Sequence, residues 1–264
     1  MNDAFFRSRY GPWCFIAGAS EGLGEAFAYA AAARGLNVIL AARRGKLLER
    51  IASDIRAQHG VEAVAVPLDL AGPMLEEVAR RAVVRREVGL FVHNAAYVPK
   101  GDFLEVPVED HLRAVDVNVR ALLTLTHAFG GAMAKRGRGG IVLMSSLASF
   151  QGTGCVASYA GTKAFGRVFG EGLWEELRDR GVDVLACCAG ATKTPGYEAF
   201  ATRENLMAQR PEEVVEETFA RLQEGPVLVP GRANKLAGAL MGRLLPRRTA
   251  VQLVTRQTRK LYGR

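Results

Sequence analysis

The chain has little of what would mark it as secreted, membrane-spanning or metal-bound. Its 264 residues include four cysteines, Cys14, Cys155, Cys187 and Cys188, too few and too unevenly spaced for a disulfide framework. Cys187 and Cys188 are adjacent inside an apolar run, where thiols serve as core residues. There is no C-x-x-C and no H-E-x-x-H, and His59, His93, His111 and His127 are scattered, so no metal site is expected. No run reaches the roughly 18 apolar residues of a spanning helix. Residues 1–13 also lack the apolar centre of a secretory signal. A soluble, cytoplasmic chain is the expectation. Acidic residues have a boundary of their own, since all 27 lie at or before Glu224. Nine of the 35 Lys and Arg lie in 231–264, so the formal charge of +8 belongs to a basic tail on a nearly neutral body. No aromatic-interleaved patch or binding motif accompanies that charge, and nucleic acid is not an expected partner.

Short apolar runs alternate with longer stretches of helical period. The runs Trp13–Ala17, Val38–Ala42, Val61–Pro67, Gly89–His93, Ile141–Ser145, Val182–Ala189 and Val227–Pro230 read as strands. Between them, Glu25–Arg34, Lys46–His59, Pro73–Glu87, Val108–Lys135 and Ala157–Arg180 read as helices. Fully apolar strands separated by helices predict a parallel sheet covered on both faces. The βαβαβ order makes this an α/β, Rossmann-type doubly wound fold. With neither repeat nor linker, the expectation is one domain over 1–230 and a basic extension over 231–264.

The first strand runs directly into Gly18-Ala19-Ser20-Glu21-Gly22-Leu23-Gly24 and then a helix. Glycines here allow a tight turn, close approach of backbone N–H groups to a pyrophosphate, and close helix–strand packing. The spacing is G-x-x-x-G-x-G, not G-x-G-x-x-G, and its place in the first βαβ unit points to a dinucleotide. Where an NAD site usually has a carboxylate, at the end of the second strand, stands Ala42, followed by Arg43 and Arg44. Guanidinium groups suit a 2′-phosphate, which favours NADP(H) over the bland reading of a basic helix start. Asp69-Leu70, after the third strand, would meet the adenine, or Asp69 would cap the next helix.

The fifth strand ends in Ser145-Ser146, and thirteen residues past Ser146 comes Tyr159-Ala160-Gly161-Thr162-Lys163. Residues four apart share a helix face, so the Lys163 ammonium can make the Tyr159 phenol a usable acid or base. Together these motifs resemble the short-chain dehydrogenase/reductase family, and the likeness covers about residues 11–230. The resemblance implies a single-domain ketone/alcohol oxidoreductase. In it Ser146 would hold the substrate oxygen, Tyr159 would transfer the proton, and Lys163 would tune Tyr159 and bind the nicotinamide ribose. It further implies that Asn118 holds a water of the proton relay; the plain alternative is a buried asparagine that satisfies backbone groups. Ser145 is expected to be structural.

The glycine-turn residues Gly18, Ser20, Glu21, Gly22, Leu23 and Gly24, with Arg43, Arg44, Asp69, Leu70, Asn94 and Ala95, are the expected cofactor contacts. Thr192 and Thr194 complete them, resembling the family's carboxamide and pyrophosphate clamp. Departures from the family pattern are His93 and Ala96 around Asn94-Ala95, Ala17 before the turn, Ala189 before Gly190, and Glu21 where NADP-preferring members often carry a base.

Pro195–Arg210, with Tyr197, Phe200, Leu206 and Met207, occupies the family's substrate-covering insertion and either caps an apolar substrate or packs on its own domain. Phe150, Gly152, Thr153 and Cys155 would form another, uncharged wall. An apolar ketone, steroid-like or fatty, is the expected substrate, a 3-oxoacyl thioester the alternative, and a non-catalytic NADP(H) sensor the reading from another class. Leu236, Leu240 and Leu244, with Met241, Leu245 and several arginines, read as a basic amphipathic helix that breaks at Pro246 and resumes toward Leu253–Leu261. It would meet an anionic membrane surface or an acidic carrier, or pack on its own domain or a twin subunit. The resemblance also implies a homodimer or homotetramer.

Overall fold

In the computed structural model the strands are largely apolar and their side chains alternate between two buried faces, which builds a sheet with a core on either side. Residues 2–198, 208–240 and 245–261 are described. In chain order the elements are α1 (Asp3–Tyr10), β1 (Trp13–Ala17), α2 (Gly22–Ala33), β2 (Asn37–Ala42), α3 (Gly45–His59), β3 (Ala63–Pro67), α4 (Leu75–Arg85) and β4 (Val88–His93). Then follow α5 (Val108–Val115), a π-helical turn (Asp116–Arg120), α6 (Ala121–Arg136), β5 (Gly139–Ser146), α7 (Ala157–Arg178) and β6 (Val182–Ala189). The last are α8 (Pro195–Glu198), α9 (Pro211–Ala220), β7 (Val227–Leu228), α10 (Arg232–Ala239) and α11 (Arg247–Leu261).

The seven strands lie in the order β3-β2-β1-β4-β5-β6-β7, each pair parallel. The order reverses between β1 and β4, the place where such sheets open a crevice at their carboxyl ends. Cys14, Ile16, Val38, Leu40, Leu90, Val92, Val142 and Met144 point to one face, against α2, α3 and α9. Phe15, Ile39, Phe91, Ile141, Leu143 and Val184 point to the other, against α4, α6 and α7. This period of two, apolar on both sides, is what a sheet sandwiched between helices demands.

Several boundaries differ from the sequence reading. Helix α2 starts inside the glycine turn, at Gly22. The single helix expected over Val108–Lys135 is two α-helices joined through the π turn. Helices α1 and α9 had not been anticipated. The α1 helix buries Phe6 and Tyr10 and anchors itself on the start of β6, where Arg9 and the Tyr10 hydroxyl both donate to Asp183, at 3.0 and 2.8 Å. The lid residues Phe200, Leu206 and Met207, and Met241 and Leu244 of the tail, lie outside the described residues.

The extension is docked on the body. Asn234 of α10 is buried and bonds Gln209 and the Pro230 carbonyl. Ala250 of α11 is fully buried, and Thr255 accepts from the Gly154 N–H at 2.9 Å. The inner face of α11 is thus occupied by its own chain. No helix among the described residues is long and apolar enough to cross a membrane.

Candidate active site

At the carboxyl end of β1 the chain turns sharply, and the glycines are required by what surrounds them. Gly18 has φ +86, and a Cβ there would come within 2.6 Å of the Ala95 Cα. A Cβ on Gly24 would lie 1.9 Å from the Gly18 carbonyl oxygen, and one on Gly22 would lie 2.7 Å from the Thr194 methyl. The turn is tied across to the end of β4: the Asn94 Nδ2 donates to the Gly18 carbonyl at 2.9 Å, and the Asn94 and Ala95 N–H groups donate to that of Ala17. The first turn of α2 therefore faces open space with unspent N–H groups, the arrangement that receives phosphate.

That space is a cleft of about 470 Å³ lined by Gly18, Ser20, Glu21, Gly22, Leu23, Arg43, Arg44, Asp69, Leu70, Asn94, Ala95 and Thr194, all expected from sequence. Ala42, Leu68, Ala96, Tyr97, Arg113, Val117 and Gly196 complete the lining. Its two carboxylates are each neutralised by an arginine. Glu21 pairs with Arg44 at 2.9 Å, and the same guanidinium donates to the Ser20 hydroxyl at 2.8 Å. Asp69 pairs with Arg113 at 2.8 Å and accepts the Ala71 N–H at 3.0 Å. Partial burial raises the Asp69 pKa, but these two bonds outweigh it and hold the carboxyl below its ordinary value. Arg43 is exposed on the rim and makes no ion pair with another side chain among the described residues. The donor set and the glycine cradle fit a dinucleotide with an additional phosphate at the Arg43 end.

One expectation is corrected here. Asp69 is not a helix cap: α4 begins at Leu75 behind Met74, and Asp69 instead makes a local turn and an ion pair. Thr192 does not line the cleft; its hydroxyl donates to the Gly190 carbonyl at 3.2 Å, and its backbone bridges to Gln209. Thr194 alone of the two threonines reaches the cleft.

Beyond the cleft, β5 and α7 bring the reactive side chains together. Lys163 is buried, and its ammonium donates to the Met144 carbonyl at 2.6 Å. Burial lowers its pKa to about 8, with the neighbouring Cys188 and Cys187 acting the other way. The ammonium stands 5.8 Å from the Tyr159 ring centroid. Ser145 is buried and donates to the Lys163 carbonyl at 2.8 Å, locking strand to helix. The next residue, Ser146, leaves the strand half-buried and accepts from the Ala148 N–H at 3.2 Å. Asn118 sits in the π turn. Both its amide hydrogens are spent, on the Tyr97 carbonyl and the Thr162 hydroxyl at 2.9 Å each, and its Oδ1 accepts the Tyr97 N–H at 2.8 Å. Thr162 passes the connection on to the Tyr159 carbonyl at 2.8 Å. The extra residue of a π turn is a common device at functional sites, and here it swings Asn118 inward between the β4 loop and α7.

His93, at the end of β4, is buried with neither ring nitrogen in hydrogen-bond geometry. Burial first, then the Lys163 charge, lowers its pKa to about 3, although the Val117 backbone offers a charged ring some compensation. It is a neutral imidazole beneath the lysine.

Comparison with known proteins agrees with this geometry. The chain matches the short chain dehydrogenase family over residues 12–205, and it belongs to that family. It is 30% identical to a 7beta-hydroxysteroid dehydrogenase of Clostridium sardiniense over 87% of this chain and 89% of the relative. It is 27% identical to a very-long-chain 3-oxoacyl-CoA reductase of Anas platyrhynchos over 96% and 82% of the two chains. Among solved structures, a 7beta-hydroxysteroid dehydrogenase studied for its stereoselectivity superposes with TM-score 0.90, at 28% identity, over 96% of this chain and 99% of the other. A short-chain dehydrogenase from Sphingobium yanoikuyae in complex with NADPH superposes with TM-score 0.77, at 28% identity, over 88% and 94%.

Proposed function

We propose that the chain is an NADP(H)-dependent oxidoreductase acting between a ketone and a secondary alcohol on an apolar, steroid-like or fatty substrate. The observation that carries this reading is the buried Lys163, pinned to the Met144 carbonyl and one helical turn from Tyr159, beside the strand end that presents Ser146. When bound, the nicotinamide supplies or accepts the hydride at the substrate carbon. Gly18, Gly22, Thr194 and the start of α2 hold the pyrophosphate, and Arg43 with Arg44 holds the 2′-phosphate. Ser146 donates to the substrate oxygen. Tyr159 gives that oxygen its proton in reduction and removes it in oxidation, and the Lys163 ammonium beside the ring favours the phenolate left behind. With a pKa of about 8, Lys163 still carries its charge at neutral pH. Asn118 fixes Thr162 and the Tyr97 loop, and a relay water would meet its Oδ1 or main chain, not its amide donors.

The steroid-like choice is supported by the 7beta-hydroxysteroid dehydrogenases among the relatives, and the 3-oxoacyl thioester alternative by the 3-oxoacyl-CoA reductases. A non-catalytic sensor would not require the Ser146, Tyr159 and Lys163 arrangement; it gains if the protein binds NADPH yet oxidises it with no member of a broad ketone panel. Tyr159→Phe should cut turnover about a thousandfold while leaving NADPH affinity within about threefold. Retained turnover overturns the assignment. The face formed by Leu104, Val108, Leu112, Val115, Phe165 and Val168 is exposed and apolar, which supports a homo-oligomer.

A further inference from the structure

The segment from Phe150 to Val156 joins Ser146 to Tyr159, the two residues that would grip the substrate oxygen. It contains Gly152 and Gly154, has no regular structure, and satisfies little of its own backbone. It also holds Cys155 at φ +64, the one residue other than glycine with positive φ among those described. A side chain in that conformation persists only where its surroundings over-determine it.

Those surroundings come from two places. The 101–102 turn supplies the Gly101 N–H to the Cys155 carbonyl at 2.8 Å, and the Asp102 carboxylate, which receives the Cys155 thiol at 3.6 Å. Helix α11, about 100 residues further along the chain, supplies the rest. Thr255 accepts the Gly154 N–H at 2.9 Å, and its methyl stands where a Gly154 Cβ would be, 2.8 Å away. Thr258 and Thr153 share a hydroxyl bond at 3.1 Å, and Arg247 donates to the Phe150 carbonyl at 2.5 Å. Arg259 closes the circuit on Asp102 at 3.6 Å. The contacts recur along α11 at 247, 255, 258 and 259, within an arc of about 120° on one side of the helix, while the exposed Arg256 lies outside it.

We propose that α11 is a clasp on the substrate wall: through Thr255, Thr258 and Arg259 it fixes the shape of residues 150–156 and thereby sets which ketones fit between that wall and Tyr159. These are positioning residues, since none lines the dinucleotide cleft. The inference rests on the oxidoreductase reading for its substrate consequence, but the mechanical part stands on the contacts alone. Loosening the clasp widens the set of wall shapes, which penalises a rigid polycyclic ketone that needs one of them and leaves a compact ketone little changed.

The test uses the full-length chain with NADPH. Thr255→Val removes the acceptor at nearly constant volume, and Arg259→Glu reverses the charge facing Asp102, with Arg259→Lys as the conservative control. Amide exchange at Gly154 should accelerate about fivefold or more in the first two variants. The KM for a polycyclic ketone should rise about tenfold, that for a compact ketone by less than about threefold, with kcat and NADPH affinity little moved. Arg259→Lys should restore both readouts. Equal KM changes for the two ketones, or exchange at Gly154 unaffected in both variants, overturns the clasp. An unmodified protein that binds NADPH but reduces neither ketone refutes the oxidoreductase reading instead, and the exchange measurement then still decides the mechanical claim.

Discussion

The neutral His93 imidazole beneath Lys163 makes a quantitative demand on stability. In an unfolded chain it titrates near pH 6.5; in the fold it is held at about 3 by burial, with the lysine adding to the effect. The native state thus binds fewer protons than the unfolded one between those values, and stability must rise with pH across the window. The contribution is fully present above about pH 6.5 and is lost progressively as pH falls toward 3. Between about pH 7.5 and pH 5 the unfolded state gains close to one proton over roughly 1.5 pH units, which at about 1.4 kcal/mol per unit is about 2 kcal/mol. Lys163, lowered to about 8, shifts stability only between that value and 10.5, so it leaves the acid window untouched. Carboxylates such as Asp69 also lose stabilisation in acid, and they do so equally in a variant that lacks only the imidazole. Urea unfolding at the two pH values, for the natural chain and His93→Leu, isolates the difference. The variant should lose about 2 kcal/mol less on acidification. Identical pH dependence in the two proteins would refute the reasoning.

Two further outcomes are expected. Arg43→Ala should weaken NADPH binding by about ten- to a hundredfold through loss of a charge-assisted contact, and NADH by no more than about twofold; equal losses for the two cofactors would remove the phosphate role. The proposed subunit contact through the exposed apolar face predicts a natural chain whose mass by light scattering is a multiple of one chain and a Leu112→Asp variant of single-chain mass; a natural chain of single-chain mass, or an unchanged mass in the variant, would remove that contact.

Much of the fold was legible because both sheet faces are buried. A strand buried on two sides is apolar at nearly every position, so Trp13–Ala17 stands out as a run with no period to misread, and so does Val182–Ala189 apart from Asp183 at its start. The glycine turn was legible because its spacing is dictated by clashes with Ala95, Thr194 and the Gly18 carbonyl. Helix α1 escaped notice because only Phe6 and Tyr10 of its eight residues are buried, too few for a visible stripe. The π turn was invisible because the α-helices on either side each keep their own 3.6 period, and a local phase slip between them does not interrupt the helical pattern. Arg113 and Tyr97 were missed as cleft residues since their roles depend on Asp69 and Asn118, 44 and 21 positions away, and no local pattern encodes such pairings. The docking of α11 on residues 150–156 was likewise unreadable: amphipathicity shows that a face will be covered, not by what.

The bonds that hold the site together are anchored mostly in main-chain atoms. Lys163 reaches the Met144 carbonyl, Ser145 the Lys163 carbonyl, Asn94 that of Gly18, and Asn118 both polar groups of Tyr97's backbone. A peptide carbonyl is the same whatever side chain its residue carries. Positions 97 and 144 can therefore exchange residues over evolutionary time without releasing the lysine or the asparagine, provided the chain keeps its path. In those pairs one half is free to drift and the other is not, so variation in this chain's descendants should fall unevenly: steady at 94, 118, 145 and 163, and at Gly18, whose turn admits no side chain, but permissive at 97 and 144.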